Sequence, residues 1–190
     1  MIHSFDQCLK FGENPDNDAI WNSVWRRQFP DFSRCEKVLG VAQQKRGTDR
    51  LVYTGSSSQP LRVQEKVRAR SYGDMLFEWR HTPCDIPSNH WPGWMELDQD
   101  IDFIGYCLLD SGTAYVFPWQ PLRRVWLENK EQWLFYAKES WGMRRQGSNR
   151  GTTVNGITMV RAKNKTYNTW NVCVPVKDVF AELGRTMTHD

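Results

Sequence analysis

Apolar residues recur along this chain with two different periods, and the changes between them mark its elements. In NPDNDAIWNSVWRRQF, Ile20, Trp21, Val24 and Trp25 fall on one face at helical spacing. Asp16 stands before that face as a capping residue and Pro30 closes it, so the spacing predicts a helix between them. DFSRCEKVLGVAQQKRGT keeps neither period and reads as a partly extended connector.

The period then drops to two. DRLVYT reads as a strand, GSSSQP as a turn, and LRVQEKVRAR as the returning strand. Its alternation puts Arg62, Gln64, Lys66, Arg68 and Arg70 on one face and Leu61, Val63, Glu65, Val67 and Ala69 on the other. SYG turns the chain into DMLFEW, where Met75, Phe77 and Trp79 oppose Asp74, Leu76 and Glu78, completing a meander. A long loop rich in Pro and aromatic residues follows. IDFIGYCLL and TAYVFPW predict a hairpin about Asp110, Ser111 and Gly112.

Helical spacing returns in PLRRVWLENKEQWLFYAKESWG, with Pro121 at the first position and Leu122, Val125, Trp126, Trp133, Tyr136 and Ala137 as its stripe. MRRQGSNRGTTVNG reads as a polar, basic loop. ITMVRA and TWNVCVP predict a small hairpin, and VKDVFAELG a closing helix stopped by Gly184. The expected fold is α+β (α/β), a mixed central sheet flanked by helices. A core domain over residues 1–143 carries a C-terminal hairpin and helix extension over 144–190, packed on the core.

Composition narrows the partners. The formal charge is +3 over 190 residues, mildly basic and compatible with nucleic acid. Ten Trp suit base stacking or, more simply, a large core. Five Cys without a CxxC pair predict free thiols in a reducing, cytoplasmic setting. No apolar window approaches about 18 residues, so no membrane association is expected. Neither GxxxxGK[ST] nor GxGxxG occurs, so no nucleotide cofactor is expected. His81, Cys84, His90 and Cys107 follow no common zinc spacing.

The chemistry concentrates between Arg46 and Arg70. Asp49 opens one strand, and Gln64 and Lys66, two apart on the next, emerge on one face. Phosphodiester cleavage needs a divalent cation and relief of phosphate charge. Mg²⁺ is satisfied by one or two carboxylates, further oxygen ligands and water. Asp49, Gln64 and the Glu65 carbonyl supply such oxygens, and Lys66 a cation to steady the phosphate or polarise water.

GTD, a turn, then VQEKV resembles the PD-(D/E)XK nuclease superfamily, in a form similar to Holliday-junction resolvase-like and phage-encoded putative nucleases. The resemblance spans about Asp16 to Trp141 and implies a restriction-endonuclease-like core. It implies Asp49 as the metal-binding Asp, Lys66 as the catalytic Lys and Gln64 in place of the family's acid. The catalytic set is then Asp49, Gln64, Glu65 and Lys66, and the metal set Asp49, Gln64, Glu65 and Glu78. Gln64 through its amide oxygen, Glu78 from the next strand, or Glu65 turned inward by a bulge could complete the shell. The implied activity is Mg²⁺- or Mn²⁺-dependent DNA endonuclease cleavage of duplex or branched DNA, with homodimers as in resolvase-like nucleases. The alternative is a degenerate nuclease fold that binds nucleic acid or a host protein.

Lys45, Arg46, Arg50, Arg68 and Arg70, with Arg144, Arg145 and Arg150 in the later loop, are the candidate DNA contacts. A solvated, charge-protected edge strand would carry the same residues.

Overall fold

The computed structural model describes residues 16–84 and 89–187. Among these the helices are α1 (Asp16–Gln28), α2 (Val41–Lys45), α3 (Trp119–Gly142) and α4 (Val176–Met187). The strands are β1 (Phe32–Lys37), β2 (Arg50–Thr54), β3 (Leu61–Arg68), β4 (Asp74–Pro83), β5 (Trp91–Pro92), β6 (Phe103–Leu108), β7 (Thr113–Pro118), β8 (Thr158–Lys163) and β9 (Tyr167–Pro175). They form a mixed α+β fold with two open sheets. The connector after α1 supplies β1 and α2. The chain divides into two units that interleave in sequence. The first takes the described residues up to Ser71 with Gln99–Gln120, and the second takes Tyr72–Asp98 with those from Pro121 onward.

The first unit holds a five-stranded sheet in the order β1-β2-β3-β6-β7. β1, β2 and β3 are antiparallel neighbours, β6 joins β3 in parallel, and β7 returns beside β6 as the expected hairpin. α1 covers one face with Trp21 and Trp25, both buried with Val52, Val63 and Cys107. The two rings stack at 5.7 Å. Close approach of helix and sheet needs Gly105, because a Cβ there would come within 2.5 Å of Trp21.

The meander expectation fails at β4. A strand has two edges, and those of β3 are taken by β2 and β6. β4 pairs instead with β9, in a four-stranded sheet ordered β5-β4-β9-β8 in the second unit. Alternation records which face of a strand is buried, not which strand lies beside it. A bulge between Glu78 and Arg80 interrupts β4, where Trp79 gives its carbonyl to the Gly93 N–H at 2.7 Å.

The core of the second unit centres on Phe77, which stacks on Trp133 at 5.6 Å and contacts Trp126. The expected stripe of α3 is buried at Leu122, Val125, Trp126, Trp133 and Ala137. α3 starts at Trp119, two residues before Pro121, because N–H groups of the first turn have no intrahelical partner to lose. α4 runs through Gly184 rather than stopping there, anchored by buried Val179 and Leu183. No described helix is long and apolar enough to cross a membrane.

Candidate metal and phosphate site

The ladder between β2 and β3 ends at Arg50↔Val63. Asp49 continues it by other means. Its N–H donates to the Val63 carbonyl at 2.9 Å, and its Oδ2 accepts the Glu65 N–H at 2.8 Å. Its own carbonyl accepts the Val38 N–H at 2.9 Å. Three backbone-anchored bonds therefore fix the carboxylate beside β3. The Arg62 and Arg68 carbonyls accept from Asp102 and Leu109 on the β6 side. Odd-numbered residues of β3 thus present their backbone to the Asp49 edge, and the Glu65 C=O lies on the same edge as its N–H.

Burial raises the Asp49 carboxyl above the usual range, opposed by the charge of Lys66, the Glu65 N–H bond and the charges of Arg50 and Lys37. Lys66 is therefore electrostatically coupled to Asp49, as the sequence spacing anticipates. Gln64 is 5% exposed, and its buried Oε1 has no hydrogen-bond partner among the described residues. A buried acceptor left open costs about 1–3 kcal/mol unless something fills it. Beside it on β6, Ile104 and Tyr106 are buried, and Arg68 donates to the Tyr106 hydroxyl at 3.2 Å.

Glu65 contributes only backbone here. β3 pairs with β6 in unbroken register from Val63 to Arg68, so no bulge turns the Glu65 side chain inward. It lies on the α1 face, where Oε1 accepts from Arg50 Nε at 2.7 Å and Trp25 Nε1 at 3.1 Å. Arg50 Nη2 also reaches Asp18 at 2.6 Å. Arg50 is not a surface cation: its side chain is 4% exposed. Burial works against its charge, but the bonds and charges of Glu65 and Asp18 outweigh that and raise its pKa. The missed signal was alternation on β2, which puts Arg50 on the face of buried Val52 rather than toward a phosphate.

The other expected residues scatter. Glu78 lies in the second sheet, 3.1 Å from His81, so it is not on the strand beside β3. Arg62 pairs with Asp100 and Asp102. Arg46 and Arg70 are exposed. The Lys45 side chain lies outside the described residues. Arg144 and Arg145 are exposed in the second unit, whereas Arg150 pairs with Asp74 at 3.1 Å.

Asp49, the Gln64 amide oxygen and the Glu65 carbonyl offer only oxygen donors, with one negative charge among them. Such a set fits a hard, largely hydrated cation such as Mg²⁺ or Mn²⁺. Among the described residues no cluster of three or more His, Cys, Asp or Glu could hold a metal ion. Comparison with protein-family models, with curated proteins and with solved structures found no match.

Proposed function

We propose that the corner formed by Asp49, Gln64 and Lys66 is the centre of a Mg²⁺- or Mn²⁺-dependent DNA endonuclease of phage or mobile-element type, acting in the cytoplasm on duplex or branched DNA. The observation that carries this reading is the buried Oε1 of Gln64, without a hydrogen-bond partner among the described residues, on the strand that carries Lys66 and anchors the Asp49 carboxylate. A bound divalent cation would supply Lewis-acid charge next to the phosphoryl group. Asp49 and the Gln64 amide would hold it, the Glu65 backbone would fix the Asp49 carboxylate, and Lys66 would offset charge growing on the phosphate.

A second reading has a specific observation in its favour. The Glu65 carboxylate is committed to Arg50 on the other face of β3, which leaves one charged ligand. A nuclease fold in this state would bind DNA or a host protein without cutting.

Wild type and Lys66→Ala incubated with branched and duplex DNA, with and without Mn²⁺, separate the readings. Metal-dependent cutting that disappears in the variant supports the endonuclease. Retention on a gel without cutting supports the second reading. Neither cutting nor retention overturns the endonuclease and DNA binding together.

A further inference from the structure

The second unit carries a row of side chains that the Lys66 corner does not use. Arg80 on β4, Trp170 on β9 and Arg161 on β8 oppose one another across three strands, so all stand on one face. Each guanidinium lies 5.9 Å from the Trp170 ring. The row continues past the sheet. Trp141 of α3 meets Trp170 edge-on at 4.9 Å and lies 5.3 Å from the Arg161 guanidinium. Arg144 covers the Trp141 ring at 4.2 Å. At the other end Trp79, at the β4 bulge, lies 4.1 Å from the Arg80 guanidinium, and Lys138 approaches the same ring at 5.7 Å.

Several carboxylates of this unit pair elsewhere: Asp74 with Arg150, Glu78 with His81, Glu96 with Lys130 and Asp98 with Arg123. Arg161 and Arg144 donate to neutral oxygens, of Asn149 at 2.9 Å and Trp141 at 3.0 Å. Arg80 Nε is buried with no hydrogen-bond partner among the described residues, and burial alone lowers its pKa. Among the described residues none of Arg80, Lys138, Arg144 and Arg161 forms an ion pair with a carboxylate, and cations without counter-charge mark a surface suited to a polyanion.

The alternation with indole rings says which polyanion. A guanidinium stacked on an aromatic ring keeps its rim of N–H donors free for phosphate. The rings between offer stacking partners, which only unpaired bases can use. Strands lie about 4.8 Å apart, so Arg80 to Arg161 spans roughly 10 Å, several times the ~3.4 Å between successive charges of one stacked strand. We propose that this basic and aromatic row on the second sheet binds single-stranded nucleic acid, its guanidiniums taking phosphates and its indoles taking bases. The inference goes beyond the Lys66 corner and does not depend on cleavage.

The test is fluorescence anisotropy of a labelled oligothymidylate of about 15 nucleotides, in EDTA, with wild type, Arg80→Gln/Arg161→Gln and, as a control at an exposed arginine of the first unit, Arg34→Gln. Wild type should bind in a strongly salt-dependent way, the double variant at least about tenfold more weakly, and Arg34→Gln like wild type. An abasic strand of equal length should also bind at least about tenfold more weakly, because it keeps the phosphates and loses the stacking. No binding by wild type, or undiminished binding by the double variant, overturns the proposal. So does equal affinity for the abasic strand or for duplex, or capture of anionic phospholipid vesicles instead of the oligonucleotide. If the double variant fails to fold by circular dichroism, Lys138→Gln/Arg144→Gln at exposed positions must show the loss.

Discussion

Arg50 Nε donates to Glu65 Oε1 at 2.7 Å across the first sheet, with 4% and 10% of the two side chains exposed. The contact decides the chemistry of β3. It holds Glu65 against α1, where Trp25 adds a further bond, and leaves Gln64 and Lys66 as the residues offered on the opposite face. An acid one position from Lys66 is thereby committed to a structural ion pair.

Arg50→Met should cost about 3–5 kcal/mol at pH 8, because it strands a buried carboxylate. Arg50→Met with Glu65→Leu should recover most of that loss, since neither charge remains to be desolvated. Urea midpoints of both variants check this. A double variant no more stable than Arg50→Met would remove the buried pair as the cause.

The same carboxyl predicts a pH dependence. Burial pushes the Glu65 pKa from an ordinary 4.5 up to about 7, against the opposing bonds and charge of Arg50 and the bond from Trp25. Below pH 4.5 it is protonated whether folded or unfolded. Between 4.5 and 7 the folded chain keeps a proton that the unfolded chain releases, so its stability contribution falls as pH rises. At about 1.4 kcal/mol per tenfold change in proton affinity, the loss reaches roughly 3 kcal/mol above pH 7. Stability of wild type relative to Glu65→Gln should therefore increase from pH 7.5 to pH 5. A difference that stays constant over that range would contradict the raised pKa.

Lys66 sits behind the Asp49 titration. Its charge is the largest influence opposing the burial that raises Asp49. Lys66→Met should move the Asp49 carboxyl to still higher pH, read by carbon-detected NMR titration of that side chain. An unmoved Asp49 would mean that the ammonium does not act on it.

Elements with strong periodicity were legible in the sequence: α1, the buried stripe of α3, the two-faced β3 and the β6–β7 hairpin. Partnership was not. Nothing in DMLFEW tells β3 from β9 as its neighbour, because both offer an edge of the same pleat. The Asp49 and Lys66 relationship was readable from spacing alone. The fate of Arg50 was readable in principle, from its alternation with Val52, but charge was weighed before face. The Arg80, Trp170 and Arg161 row lay beyond reach, since it needs the pairing of three strands far apart in sequence.

Gly105→Ala should destabilise the first unit by about 1–3 kcal/mol, through overpacking against Trp21. The added methyl would fall 2.5 Å from an indole carbon and 3.2 Å from Trp25, on rings already stacked on each other. Trp21→Phe in the same chain should relieve part of the loss. Equal thermal midpoints for wild type and Gly105→Ala would show that α1 can lift away from β6 at no cost.

Gln64 separates structure from function. A merely structural residue would gain from losing an amide whose oxygen is buried and unpartnered, because Met fills similar space without an unsatisfied acceptor. Gln64→Met should therefore raise the metal-free thermal midpoint, by an amount equivalent to about 1 kcal/mol or more. If the oxygen is a cation ligand, Mn²⁺ should raise the midpoint of wild type but not of Gln64→Met, since only a ligand that prefers the folded state shifts the equilibrium. Gln64→Glu should strengthen the Mn²⁺ effect by adding a second charged ligand, at the cost of lower metal-free stability from a buried carboxylate. A Mn²⁺ response identical in all three proteins would place the cation elsewhere and remove the observation on which the endonuclease reading rests.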